Sequence, residues 1–339
     1  MADTITRRRA ICIMAAAAGL PLIPFSGTAR AAAAPLVWKG QALGAPTTLI
    51  LNHHDRAKAQ ALVRRVVAEV ERLESILSLY RETSALCELN RMGALAMPPQ
   101  DLVAVLEASR TIFDITDGAF DPSVQPLFAL YAGHFTRPDA APSGPSAADV
   151  ERAKALAGFD SVHFNADRIA FARRGMAVTL NGIAQGYVTD RVVALLREEG
   201  IDSSLVDMGE GRAIGAQADG RPWRIGLVET QADREDETVI PLIDAAIATS
   251  AFSGFSFDPA GRFSHILDPR RGSVQPRYRR LTVIAPDATT ADGFSTAFSL
   301  IDLQHMRAIL DRQADVAVDL VTSDGEHLRL GRPIGSIPT

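Results

Sequence analysis

The chain has 339 residues, 47% apolar and 22% charged, with a net charge of −5 and two cysteines. An acidic balance argues against nucleic acid as a partner and gives no support for binding anionic lipid. The length suffices for a sizeable core, in one large domain or two intimate ones.

The first element is a leader. Thr6-Arg7-Arg8-Arg9 precedes an uncharged apolar stretch from about Ala10 to Phe25, and Ala29-Arg30-Ala31 offers an A-x-A cleavage site. A basic start, a short apolar core and small residues before a cut make a secretory signal, and the paired arginines favour the twin-arginine route. Gly19, Pro21 and Pro24 break the stretch, which is shorter than the ~20 residues a spanning helix needs. The expectation is a signal peptide over residues 1–31, a single functional unit over 32–339, and a periplasmic location. The leader holds four arginines against one aspartate, so the mature chain is near −8. Cys12 leaves with it, and Cys87 alone cannot form an internal disulfide. No later apolar run approaches spanning length, so no transmembrane segment is expected in the mature chain.

Thr47–Leu51 reads as a strand. Asp55 then caps a helix whose Leu62, Val66, Val70, Leu73 and Leu77 fall on one face. A second helix is expected over Asp101–Ile115, with Leu102, Val105, Ser109, Ile112 and Phe113 inward. The Pro-, Ala- and Gly-rich segment 132–146 reads as a surface loop. Ser146 caps a short helix ending near Gly158, strands follow near Val162 and Ile169, and a helix from Ile183 to Glu199 ends at Gly200. The second half is mostly strands, near Leu205, Ala213, Ile225, Ile247, Val283 and Val316–Val321. The last pairs with His327–Leu330 across Ser323-Asp324-Gly325. Helices are expected at Ala291–Ile301 and Leu303–Arg312. Mixed order without β-α-β alternation predicts an α+β fold with antiparallel sheets. No internal repeat is visible.

Asp292 and Thr296 are four apart, so on a helix they share a face. A carboxylate beside a hydroxyl is hard oxygen ligation, suited to Mg²⁺ or Mn²⁺ gripping phosphate oxygens, and a position near a helix N-terminus favours an anion. The same spacing also serves ordinary capping and Thr back-bonding. Thr179-Leu180-Asn181-Gly182-Ile183-Ala184-Gln185-Gly186-Tyr187 reads as a strand, a glycine turn and a helix start, able to present N–H groups to phosphate. It is neither a Walker A loop nor a dinucleotide fingerprint, and an ordinary turn accounts for it equally well. Asp121-Pro122 and Asp268-Pro269 are commonly just turn chemistry. His265 suits a structural role as well as a catalytic one, and Tyr80 either stacks on a ring or closes the first helix.

Taken together and in order, these segments resemble the FAD:protein FMN transferases, the ApbE family, across nearly all of the mature chain. The matching segments are Ser78-Leu79-Tyr80 with Ser84 and Leu89-Asn90, then Gly118-Ala119-Phe120-Asp121 with Gln125-Pro126-Leu127. They continue through Asn181–Tyr187 with Asp190, Leu205-Val206-Asp207-Met208-Gly209 and Ala248-Thr249-Ser250. His265-Ile266-Leu267-Asp268-Pro269 and Ala291-Asp292 with Thr296 complete the set. The leader, Thr179–Tyr187 and Met208-Gly209-Glu210 look most like the NosX branch, associated with nitrous-oxide respiration.

The resemblance implies a T-fold-like α+β arrangement with FAD in a cleft between sheet and helices. It implies metal ligands at Asp292, Thr296 and the Gly182 backbone, and FAD contacts at Leu43, Tyr80, Ala119, Phe120, Asp121, Thr179, Gln185 and Ile266. It also implies Mg²⁺-dependent transfer of FMN from FAD to a Thr or Ser hydroxyl of an acceptor protein, with AMP leaving. Asp292 would serve the catalysis, His265 would take the hydroxyl proton, and in the NosX setting the acceptor would be the membrane protein NosR. Many relatives carry Asp at Thr179, Lys or Glu at Gln185, Gly-Gly-Asp at Gly209-Glu210-Gly211, and Met at Leu43. Those departures keep open a non-catalytic FAD-binding accessory protein, and water in place of the acceptor hydroxyl would give an FAD pyrophosphatase making FMN and AMP.

Overall fold

The structure, a computed structural model, describes residues 35–227 and 238–332, together with the backbone of Ile11–Cys12. Apart from that pair, the expected leader lies outside the described residues. Eight strands form one sheet: β1 (Leu36–Ala42), β2 (Ala45–Leu51), β3 (Ser204–Asp207), β4 (Gly211–Ile214), β5 (Ala246–Ser250), β6 (Tyr278–Ala285), β7 (Ala317–Thr322) and β8 (His327–Gly331). Their order in space is their order in the chain, and every neighbouring pair is antiparallel.

Helices enter at two points. Between β2 and β3 lie α1 (Arg56–Leu77), α2 (Ala85–Met92), α3 (Gln100–Ile115), α4 (Gln125–Phe135), α5 (Ala147–Lys154) and α6 (Ala184–Glu198). Between β6 and β7 lie α7 (Ala288–Phe298) and α8 (Leu303–Leu310). Two strands, helices and two strands therefore occur twice. This repeat lives in topology, and insertions between β2 and β3 hide it from the residues.

Alternation along the strands decides which side faces what. Leu49, Leu51, Val206, Ala248, Leu281, Val283, Val318 and Leu320 point to the helices and join the main core. Ile50, Leu205, Ala213, Ile247, Ile284 and Ala317 point the other way, under a hairpin of Trp223–Leu227 and Thr238–Leu242. Each large apolar side chain so buried stabilises by about 1.5–3 kcal/mol relative to exposure. α1 follows its expected stripe, with Asp55 accepting from Ala57 N and Lys58 N.

Three expectations change. α4 runs to Phe135, so the first part of the 132–146 loop is helical. Tyr131 and Phe135 are held there against Phe263, and Tyr131 also stacks on Phe257. The segment before Asn181, expected as a strand, joins no strand ladder; Asn90 clamps Val178, with Asn90 Nδ2 donating to Val178 O at 2.8 Å and Val178 N to Asn90 Oδ1 at 2.8 Å. α7 begins at Ala288 with Asp287 as its cap, which moves Asp292 from the first turn into the second.

Candidate functional site

The site is built where α6 meets α7. Gly186 N donates to Asp292 Oδ2 at 3.0 Å, in a position where a Cβ would lie 2.1 Å from the Ala288 carbonyl oxygen. A Cβ on Gly182 would stand 2.7 Å from Thr296 Oγ1. Two glycines, Gly182 in the turn before α6 and Gly186 in its first turn, thus bring backbone against both members of the acid–hydroxyl pair. Sequence reasoning singled out Gly182 and passed over Gly186. Its signal was a glycine inside a helix, where it costs roughly 0.5–1 kcal/mol and needs a packing reason.

The N-terminus of α7 is not an open anion site. Asp190 accepts from Ala288 N and Thr289 N, and Asp287 accepts from Thr290 N. Those orphan donors are satisfied by protein carboxylates, so the expected anion-binding end is already capped. Burial pushes the Asp190 carboxyl up, against the pull of the neighbouring Arg212. On its other side α7 is pinned to β5 by Ser295 Oγ, 2.8 Å from Ser250 Oγ.

The glycine turn is tied to two further elements. Thr179 N donates to Pro122 O at 2.8 Å, which brings Thr179 beside Asp121, and Thr179 Oγ1 accepts from Asn181 N. Asn181 Nδ2 donates to the hydroxyl of Tyr80, an exposed residue. Asp121 receives Ser123 N, Ser123 Oγ and Phe159 N, and burial pushes its carboxyl up. It is therefore a structural cap as well as a site neighbour. Phe120 is buried beside it and Ala119 is half-buried.

Gln185 is buried across the Gly209-Glu210-Gly211 turn. Gly209 has φ +128°, and a Cβ there would meet the Gln185 side chain at 2.6 Å. Gln185 Nε2 has no hydrogen-bond partner among the described residues. A buried amide donor left so costs roughly 1–3 kcal/mol, which an anionic or carbonyl-bearing ligand would relieve. Glu210 is turned to the sheet, where its Oε2 accepts from Thr249 N.

His265 Nδ1 lies 2.8 Å from Phe255 O. A carbonyl only accepts, so the proton of the neutral ring sits on Nδ1 and the lone pair on Nε2. Ile266 belongs to a small apolar cluster with Phe252, Leu300 and Val274. The loop is drawn to the Asp117-Gly118 turn by Arg270, which donates to Asp117 O. Leu43 turns the β1–β2 hairpin at φ +47°, is buried in the main core, and donates its N–H to Glu74 Oε1.

Among the described residues no cluster of three or more His, Cys, Asp or Glu forms. The side-chain oxygens that the α6–α7 contact brings against backbone are one carboxylate, Asp292, and one hydroxyl, Thr296, which fit a hard cation that keeps several waters. The orphaned Gln185 amide and the glycine-lined turn fit a phosphate-bearing ligand beside it.

Residues 43–320 match the family model described as the ApbE family. The FAD:protein FMN transferase of Vibrio cholerae is 30% identical over 278 residues, covering 79% of this chain and 82% of that protein. That of Salmonella typhimurium is 28% identical over 334 residues, covering 95% and 94%. The crystal structure of the ApbE protein from Thermotoga maritima superposes with a TM-score of 0.76 at 26% identity, over 87% of this chain and 97% of that one. The α+β architecture, antiparallel sheets flanked by helices, is that of these relatives.

Proposed function

The chain belongs to the ApbE family, and from that membership we propose that it is an FAD:protein FMN transferase. Its substrates are FAD and a Thr or Ser hydroxyl of an acceptor protein. The hydroxyl oxygen forms a bond to the FMN phosphorus, the phosphoanhydride bond breaks, and AMP leaves. The observation that carries this reading is the closure of Gly182 and Gly186 on Thr296 and Asp292, which supplies mixed oxygen donors beside an unpaired amide.

Such a reaction needs positioning and charge neutralisation more than covalent help from the protein. Asp292, Thr296 and the Gly182 carbonyl would hold a Mg²⁺, with Mn²⁺ a possible substitute; when bound, it neutralises pyrophosphate charge as AMP departs. Gly186 N fixes the Asp292 carboxylate, and Ser250 fixes α7 through Ser295. Gln185 Nε2 donates to the ligand, Tyr80 stacks on a ring, and Leu43, Ala119, Phe120, Asp121, Thr179 and Ile266 shape the cleft. His265, with its lone pair on Nε2, takes the acceptor proton.

Residues 1–31 support export by the twin-arginine route, so we place the reaction in the periplasm. The leader together with Thr179–Tyr187 and Met208-Gly209-Glu210 supports a NosX-like role, with NosR as the acceptor. Incubation of the mature protein with FAD, Mg²⁺ and an acceptor domain tests the reading, with an FMN-sized mass gain on the acceptor as the expected result.

A further inference from the structure

Residues 269–280 carry five arginines and no acid, in a chain whose net charge is −5. Two of the five are already engaged: Arg270, itself exposed, by the Asp117-Gly118 turn, and Arg280 by buried Asp319 at 2.7 Å. The other three face outward. Arg271 spends only Nε, on Asp268 Oδ2 at 2.6 Å, and Arg279 only Nε, on Ser323 O at 3.2 Å. Among the described residues the Arg277 guanidinium has no hydrogen bond or ion pair. Arg271 and Arg277 line a cleft of about 470 Å³ with Gln275, Ser323, Val274 and Leu300.

We propose that this cleft receives an acidic segment of the acceptor protein, a proposal that rests on the flavin-transfer reading. Outward Nη pairs match carboxylates in a fork geometry that a point charge lacks. The volume suits a few side chains of an extended segment rather than a folded domain, and a concave cleft suits a peptide rather than a lipid plane. Position carries the argument further. Val274 and Leu300, which line the cleft, pack in one cluster with Ile266. The wall of the cleft thus shares its packing with Ile266, next to His265 in the chain. An acceptor gripped there by its acidic residues presents neighbouring residues to the transfer site. The Arg271 and Arg277 charges also attract a negative partner to an otherwise acidic enzyme.

The test separates docking from transfer. A fluorescein-labelled Gly/Ser peptide bearing several aspartates, and the same peptide with asparagines, are titrated with the mature protein by anisotropy. The aspartate peptide should bind about tenfold or more tighter, with affinity falling as salt rises. Arg277→Glu should abolish the difference. In flavin transfer, the same variant should raise KM for the acceptor and leave kcat and FAD affinity unchanged. Equal binding of the two peptides, or undiminished binding by Arg277→Glu, overturns the proposal. Displacement by inorganic phosphate overturns it in favour of a free-anion site, and preferential binding of phosphatidylserine vesicles in favour of a membrane contact. Because anisotropy needs no turnover, a failure of flavin transfer would leave this result readable on its own.

Discussion

The Gly186 amide donates to Asp292 Oδ2 at 3.0 Å at the same point where α6 touches the backbone of Ala288. Support for the carboxylate and contact between the helices are one feature, so a single methyl disturbs both. Gly186→Ala should destabilise the fold by about 1–3 kcal/mol through overpacking. It should also raise the Mg²⁺ concentration needed for half-maximal transfer, out of proportion to that loss. Thermal unfolding and a Mg²⁺ titration of initial rates check the two parts.

His265→Ala should lower kcat by roughly 10²–10⁴-fold, the usual contribution of a positioned base. FAD affinity should hardly change. The rate should lose its fall on the acid side, because the group that must be unprotonated is gone. Initial rates across pH, at saturating FAD, decide it; a variant that keeps the wild-type profile would return His265 to a structural role at Phe255.

Asn90→Ala removes both partners of Val178 and leaves a main-chain donor and acceptor unpaired. The expected cost is about 1–3 kcal/mol. Since Val178 leads into Thr179 and the glycine turn, KM for FAD should rise more than kcat falls. Steady-state kinetics with FAD varied separates these effects.

Asp319 is buried in the sheet and accepts from Arg280, Arg329 and His327. Burial alone would raise its carboxyl, but the hydrogen bonds from Arg329, Arg280 and His327 outweigh it and hold it below the ordinary 3.8. A depressed carboxylate contributes fully above its unfolded value, and the contribution is lost as pH falls through the folded value. Thermal stability should therefore drop below about pH 4, and part of that drop should be absent in Asp319→Asn. At neutral pH the same variant should lose about 3–5 kcal/mol, because Arg280 is left buried without its counter-charge. Tm measured against pH for both proteins tests the sign and the size.

Much of the fold was legible because its signals are local. The α1 stripe, the Asp55 and Ser146 caps, the Gly200 stop and the β7–β8 turn at Ser323-Asp324-Gly325 all lie within one element or turn. α4 was missed because Gln125–Phe135 is apolar on most sides, without a polar face to mark its period, and its burial depends on Phe257 and Phe263 far along the chain. The start of α7 was misplaced because its capping is shared: Asp190, on α6, takes two of its amides, a contact no local pattern reveals. At the site, the spacing of Asp292 and Thr296 predicted a shared helical face, but as a metal pair it stood out only within the ordered set of motifs. Gly186, the Asn90 clamp and the cleft at Arg271 and Arg277 become visible only when distant segments meet.

The central claim is that this chain moves FMN to protein, and intact-mass spectrometry of an acceptor domain tests it most directly. With the mature protein, FAD and Mg²⁺, the acceptor should gain one FMN-sized increment on a Thr or Ser, with AMP appearing in step, and Asp292→Ala should give none. A wild-type protein that binds FAD yet modifies no acceptor, or that releases AMP at the same rate without one, would contradict the account.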